Sequence, residues 1–335
     1  MPGLTRDLAI DLGTINTILV ESNQVLLEEP TLVTLLVEEQ KLVEWGQAAK
    51  DMFGRVPESI EVVRPLRNGV IAEYEITEKL IGLLIKRVSG PMLIFKPRLM
   101  LTVPFGATSV ETRAVHEAGL GAGSREVYLI PQPLAAAIGV DLPIATPSGN
   151  MILCLGGGTV QGAILAMNSI VTAKTSRTGG LALDEAIIAF VRKKFGVIIG
   201  QPTAEQLKIR IGAAVHQDEN NTFEVQGQDQ VTGLPRPVML STEDIIEALQ
   251  EPLEDIVNTA KQVLEMTPPE LVSDIIDRGV AICGGSALLR GVDKYLTKEL
   301  GIPVYLVENP LHCTALGTAK AMNIRDQISQ SLIPT

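Results

Sequence analysis

The chain has 335 residues, enough for about two domains at the usual ~150 residues each, so it can bury a large core and is no small stapled scaffold. Hydrophobic residues make up 46% and mean hydropathy is +0.25, yet aromatics are only 3%, which calls for an aliphatic core and leaves apolar surface to pack against something. A net charge of −11 without any Lys/Arg run argues against a nucleic-acid partner, and three cysteines (Cys154, Cys283, Cys313) in apolar or small-residue contexts fit a reducing cytoplasm.

The opening MPGLTR lacks an apolar core, so neither a signal peptide nor an amphipathic anchor is expected. Residues 8–43 alternate β-branched and leucine-rich runs with turn residues, which predicts a meander of strands. Helical periodicity follows at Ile76 to Val88, Ser109 to Leu120 and Gln132 to Ile138, around a strand at Leu99 to Val103 that Pro104 stops. Leu142 to Ala173 is uncharged but carries two prolines and five glycines, and fails as a membrane span of about 20 apolar residues. The second half repeats the plan. Strands are predicted at Met151 to Leu155, Ala163 to Met167 and Ile170 to Lys174, then a helix at Leu183 to Phe195 and another starting at Thr203. Gln217 to Gln230 reads as an exposed hairpin or loop, and Ser241 caps a long helix that runs to about Met266. A strand at Val280 to Cys283, another at Val304 to Val307, a helix near Thr314 to Met322 and a frayed tail after Arg325 complete the pattern. Strands and helices alternating in two similar halves predict a duplicated α/β fold with a cleft between the halves.

Two glycine-threonine loops carry the chemistry: DLGTINT at Asp11 to Thr17 and CLGGGTVQ at Cys154 to Gln161, each after a short apolar strand. Small residues there let backbone N–H groups approach an oxyanion, and Thr14, Asn16, Thr17 and Thr159 add further donors. One such loop is usually an ordinary tight hairpin. Two in equivalent positions, with Gly284-Gly285 opening a helix at Ser286, point to a phosphate-bearing ligand in one cleft.

These motifs, with LIPQPLAAAIG (129–139), the TGG…DEAI run (178–187), TAEQLKIRIGAA (203–214), GGSALLRG (284–291) and TALGTAKAM (314–322), stand in the order found in the actin, Hsp70 and sugar-kinase superfamily. RPLRNGVIAEYEITEKLI (64–81), FKPR (95–98), TPPELVSDIIDRG (267–279) and NPLHCTALGTAKAM (309–322) are similar to the MreB family within it. The resemblance covers residues 6 to about 325. It implies a duplicated actin-like (ribonuclease H-like) α/β fold, two lobes around a nucleotide cleft. The lobes would span 1–144, with a small subdomain at about 31–75, and 145–325, with one at about 181–245; a helix at about 312–325 would return to the first lobe, leaving 326–335 as a tail.

By the same resemblance the ligand is ATP or ADP with Mg²⁺. Gly13, Thr14, Ile15, Asn16 and Thr17 would clamp its phosphates with Gly156, Gly157, Gly158 and Thr159. The helix segment Glu205, Gln206, Leu207 and Lys208, with Glu205 and Lys208 on one face, would reach the ribose and adenine, and Gly284, Gly285, Ser286, Ala287, Leu288 and Leu289 would close over the base. Asp11 would hold the hydrated metal through water. Four family carboxylates are missing: Cys154 replaces the second metal-side aspartate, Gln132 the water-activating glutamate, and Gln161 and Leu181 two more. A thiol is a poor partner for hydrated Mg²⁺, and glutamine cannot take a proton, a help typically worth ~10²–10⁴ in rate. The expectation is at most a slow ATPase, with Gln132 as a degenerate water-positioning residue; removing negative charge leaves binding of the triphosphate as good as before or better.

Pro91-Met92-Leu93-Ile94-Phe95 is an apolar run flanked by Lys86, Arg87, Lys96 and Arg98. It reads either as the start of the core strand or, with Pro97 unable to donate to a ladder, as a protruding loop. The matching loop of the family contacts membrane, so Met92, Leu93, Ile94 and Phe95 are the expected contact with an anionic membrane surface. The implied protein is cytoplasmic, peripheral at the inner face of the cell membrane, and self-assembles into filaments that organise cell shape or wall synthesis. Its implied partners include another member of the family and cell-shape membrane proteins. The alternatives are a structural subunit that no longer binds nucleotide and a superfamily small-molecule kinase, for which substrate-binding insertions are missing.

Overall fold

The computed structural model describes residues 6–90 and 96–334. Two five-stranded sheets of the same design hold the chain together. The first runs Glu126–Pro131, Arg98–Val103, Asp7–Leu12, Asn16–Glu21, Gln24–Pro30; its first three strands are mutually parallel and the last two join Asp7–Leu12 as an antiparallel meander. The second runs Val304–Leu306, Val280–Cys283, Asn150–Leu155, Val160–Ala166, Ser169–Ser176 with the same sense of pairing. In both, the middle strand (Asp7–Leu12, Asn150–Leu155) leads straight into a glycine-threonine loop. Leu8, Ala9 and Ile10, and Met151 to Leu155, are buried on both faces, which is why these strands read as unbroken apolar runs.

Alternate residues of Asp7–Leu12 serve two layers. Leu8 and Ile10 join Leu80, Ile81, Leu84 and Ile85 of the helix Tyr74–Ser89, and Val115 of Ser109–Gly121, in one core. Ala9 points the other way, to Ala315 and Ala319 of the helix Cys313–Asn323. That helix lies against Gln132–Gly139 at backbone distance: a Cβ at Gly139 would stand 1.9 Å from the carbonyl oxygen of Cys313, and one at Gly317 1.8 Å from that of Ala135. A further core cluster draws on both halves, with Met100, Ile130 and Leu134 beside Ile152, Ala163 and Cys283.

In the second half, Ser241 and Asp244 form a capping box at the start of the 24-residue helix Thr242–Glu265, and Pro268-Pro269 end it before a new helix, Pro269–Arg278. Each half carries a small three-stranded sheet: Val33–Leu36 between Lys41–Trp45 and Ile60–Val63, and Thr222–Asp229 between Val197–Ile198 and Pro235–Ser241.

Four expectations change in detail. The 8–43 meander is not continuous, because after Pro30 the chain leaves the first sheet and Val33–Leu36 starts the small one. The strand expected to reach Met167 stops at Ala166, since Met167 and Asn168 take positive φ (51° and 58°) in the tight hairpin turn. The helix expected from Thr203 begins at Gln201 with Pro202 in its first turn, so Glu205 and Gln206 fall in the second turn. The tail after Arg325 is docked and not frayed: Ile328 is 1% exposed, Ile333 N–H donates to Leu129 O at 3.0 Å, and Ser331 Oγ donates to Asn168 O at 2.9 Å. The apolar residues Ile328, Leu332 and Ile333 supply the reason, by covering apolar surface beside an edge strand. The segment Met92 to Phe95 lies outside the described residues.

Candidate functional site

The loops that follow the two middle strands meet head to head. A Cβ at Gly157 would stand 2.0 Å from Ile15 Cγ1, and one at Gly158 2.3 Å from Thr14 Oγ1, so only glycine allows this approach. Thr14 Oγ1 accepts Gly69 N–H at 2.9 Å, and Thr31 Oγ1 donates to Gly13 O at 2.7 Å while pairing with Thr17 Oγ1 at 2.8 Å. The second loop is tied by Gly156 N–H to Thr159 O at 2.9 Å and by Gly180 N–H to Gly156 O at 2.9 Å. A third segment, the single turn Gly285–Leu288, is anchored through Ser286 Oγ, which donates to Gly156 O at 3.2 Å.

These segments enclose a cavity of about 490 Å³, the size of a small-ligand site. Of the sequence-predicted residues, Asp11, Gly13 to Asn16, Gln132, Cys154, Gly156 to Thr159, Gln161, Glu205, Lys208, Gly284 to Ser286, Leu288 and Leu289 line it. Four do not: Thr17 is buried against Thr31, Leu207 and Ala287 are core residues, and Gln206 is exposed on the far face of its helix. At 100° per residue a helix presents positions i and i+3 together and turns i+1 and i+2 away, which accounts for the split within Glu205 to Lys208.

Sequence reading missed several lining residues, among them Asp184, Lys50, Glu28, Arg290 and Thr314. Asp184 sat inside a motif already singled out. Its Oδ1 lies 2.6 Å from Lys208 Nζ, which also donates to Gly180 O at 2.8 Å. Burial raises the Asp184 carboxyl above its ordinary range and the Lys208 ammonium opposes that rise. Glu205 Oε2 lies 3.6 Å from Lys50 Nζ on the helix Gln47–Met52, so this pair reaches from one half of the chain to the other. Nothing in the sequence around Lys50 signals that meeting. Burial lowers the nearby Arg64 guanidinium, against the fields of Glu205 and Asp184.

At the cavity floor, burial raises the Asp11 carboxyl, and hydrogen bonds from Thr102 Oγ1 (2.7 Å) and Gln132 Nε2 (3.4 Å) oppose it. Gln132 and Gln161 hydrogen-bond each other. Cys154 and Cys283 are register partners on adjacent parallel strands, with sulfurs 3.4 Å apart. The hydrogen bond that Cys283 donates to Cys154 holds the Cys283 thiol far up, and its contact with Cys283, together with burial, raises that of Cys313. Cys154 belongs to the shared apolar core, the environment of a packing residue.

The donor set suits a polyanion held by backbone N–H groups. Among the described residues no group of three or more His, Cys, Asp or Glu is arranged to hold a metal ion. Asp11 offers one carboxylate at the cavity floor, which fits a hydrated Mg²⁺ bound chiefly by a ligand's phosphates and not a cage built from protein.

Comparison with known proteins agrees with this layout. The family model described as MreB/Mbl protein matches residues 5–330. The cell shape-determining protein MreB of Haemophilus influenzae is 44% identical over 330 residues, covering 96% of this chain and 94% of its own, and the cell shape-determining protein Mbl of Bacillus subtilis is 40% identical over 324 residues, covering 96% and 97%. Among solved structures, MreB5 of Spiroplasma citri bound to AMPPNP superposes with a TM-score of 0.93 at 31% identity, over 98% of this chain and 99% of its own. A MamK double helical filament subunit shares the fold, with a TM-score of 0.79 at 19% identity over 95% and 99%. Among the described residues no helix is long and apolar enough to cross a membrane. With an actin-like fold, and identity to cell-shape proteins spread over nearly its whole length, the chain belongs to the MreB/Mbl family.

Proposed function

We propose that this protein binds ATP or ADP, with Mg²⁺, between its two halves, polymerises into filaments at the inner face of the cell membrane and helps organise cell shape, while hydrolysing ATP slowly or not at all. The observation that carries nucleotide binding is the contact between the two glycine loops, Ile15 against Gly157 and Thr14 against Gly158, at the mouth of a cavity of about 490 Å³. The AMPPNP-bound and ADP-bound structures of MreB5 of Spiroplasma citri support it.

The chemistry of the cleft supports slow turnover. In hydrolysis a water oxygen bonds to the terminal phosphorus, the bond from that phosphorus to the bridging oxygen breaks with its electrons leaving on ADP, and a water proton passes to an acceptor. Gln132 can orient a water but cannot keep its proton. Asp11, which lines the cavity at the end of the strand leading into the first loop, would hold a water of the Mg²⁺, and the metal would supply charge neutralisation at the phosphates. Cys154 packs against Cys283 and offers a thiol where charge would be needed.

A membrane anchor at Met92 to Phe95 gains at most ~1.5–3 kcal/mol per fully buried large side chain and about 1 kcal/mol per nearby basic residue on anionic lipid. A single copy binds marginally and a filament repeating it binds firmly through avidity. Partners in this reading are further copies of the chain, another family member and cell-shape membrane proteins.

Mass spectrometry of nucleotide released from the purified, denatured protein tests the binding claim, and phosphate release with Mg-ATP tests the rate. Release of no adenine nucleotide, together with no uptake of added ATP, would favour the structural-subunit reading; rapid turnover would refute slow hydrolysis.

A further inference from the structure

Gln132 opens the helix Gln132–Gly139 in the first half, and Gln161 lies in the strand Val160–Ala166 of the second. Their side chains meet across the cleft and belong to a longer chain of hydrogen bonds. Phe105 N–H donates to Gln161 Oε1 at 2.8 Å; Gln161 Nε2 donates to Gln132 Oε1 and to Thr159 Oγ1, the latter at 3.2 Å; Gln132 Nε2 donates to Asp11 Oδ1 at 3.4 Å. Thr175 Oγ1 fixes the far end by donating to Phe105 O at 2.7 Å.

The direction of this chain is set at its Phe105 end. A backbone N–H can only donate, so Phe105 requires the oxygen of Gln161, which turns the Gln161 amino group toward Gln132. The oxygen of Gln132 is therefore the acceptor, and its amino group faces Asp11 Oδ1, to which it donates. Each amide is locked by its neighbour. The consequence falls on the one atom of Gln132 that has a use in hydrolysis: its carbonyl oxygen is turned toward Gln161, where it already accepts a hydrogen bond. The group left on the Asp11 side of the cavity is an N–H donor. An attacking water needs its lone pair aimed at phosphorus and its protons aimed at acceptors, and a donor turned toward it competes for that lone pair.

Resting on the reading that ATP occupies this cleft, we propose that Gln161 is a positioning residue that holds the Gln132 amide reversed, with its oxygen toward Gln161 and its amino group on the Asp11 side, so that Gln132 is poorly placed to accept a hydrogen bond from the attacking water. A carboxylate at position 161 undoes the lock without disturbing its anchor. It still accepts Phe105 N–H, but it can only accept from position 132 as well, which favours a turned Gln132 amide whose oxygen takes the place of its amino group on the Asp11 side of the cavity.

The test compares wild type, Gln161→Glu, Gln132→Ala and the Gln132→Ala/Gln161→Glu double variant, with ATP affinity from a fluorescent ATP analogue and single-turnover phosphate release from Mg-ATP. The expected result is phosphate release about tenfold or more faster in Gln161→Glu, ATP affinity within about threefold of wild type, and loss of the gain in the double variant, since the effect must pass through Gln132. If Gln161→Glu does not fold, Gln161→Ser, which frees Gln132 to turn, is expected to raise release severalfold. Unchanged release at undiminished affinity in whichever variant folds, or a gain that survives removal of the Gln132 side chain, overturns the inference and leaves slow hydrolysis standing. A wild type that takes up no ATP overturns both.

Discussion

Replacing Gly157 by alanine tests whether the two loops act as one clamp. Gly157 is not among the positive-φ glycines, so alanine meets no backbone strain there; the cost is space alone. The new Cβ would stand 2.0 Å from Ile15 Cγ1 and 2.9 Å from Ile15 Cβ, where ordinary contact begins at 3.4 Å, so the opposing loops must part by about 1.4 Å (3.4 less 2.0) or strain locally. Ile15 cannot swing clear, because its Cβ is already too near. Overpacking of this kind costs about 1–3 kcal/mol, and a shift of about 1.4 Å takes a hydrogen bond of ~2.9 Å out of range. Affinity for a fluorescent ATP analogue should fall about 5- to 150-fold, measured by equilibrium titration beside a melting curve of the nucleotide-free protein. Gly54→Ala is the control: its φ of +74° costs strain, but nothing lies within 4 Å of the added carbon, so affinity should hold. A Kd for Gly157→Ala within twofold of wild type would refute the clamp.

Cys154→Asp places a carboxyl beside the Cys283 sulfur and the shared apolar core; it should lower nucleotide-free stability by about 1–3 kcal/mol, while Mg-ATP protects the variant more than wild type, as differential scanning fluorimetry would show. Burial raises the Asp11 carboxyl, so protonation is favoured in the folded state and the stability it contributes at low pH is lost as pH rises past the ordinary carboxylate value of about 3.9 toward the raised one. Asp11→Asn should therefore gain melting temperature relative to wild type as pH rises from 4 to 8; a margin that shrinks with pH refutes it. Filaments of Leu93→Ser/Phe95→Ser should sediment with anionic liposomes less than wild type, and equal sedimentation would remove that segment as the anchor. Gly317→Ala, whose Cβ would meet Ala135 O at 1.8 Å, should destabilise the fold by about 3 kcal/mol or more, read from urea unfolding.

The strands were legible because the middle strands of both sheets are covered on both faces, which leaves unbroken runs such as Met151 to Leu155. The capped helix after Ser241 was legible from its cap and from the prolines behind it. The glycine loops were legible as motifs, but their direct contact was not, since sequence gives no distance between Ile15 and Gly157. Asp184, Lys50 and Arg64 went unseen for the same reason: an isolated charge looks solvated until the fold brings its counter-charge near, from the next helix for Asp184 and from the other half for Lys50 and Arg64. The tail misled because Ile328 to Ile333 is short and mixed with serines, and only the edge strand at Leu129 gives it a partner.

That docked tail bears on how the protein can be labelled. Its backbone is hydrogen-bonded to Leu129 in one sheet and its Ser331 hydroxyl to the Asn168 turn of the other, within a few residues of Thr335. A fluorescent domain inserted next to Ile333 would pull on both anchorages at once and loosen a strap between the halves. The hairpin tip at Val231 to Leu234, where Val231 is 93% exposed, belongs to the separate small sheet that holds neither anchorage, and an inserted reporter there carries lower structural risk.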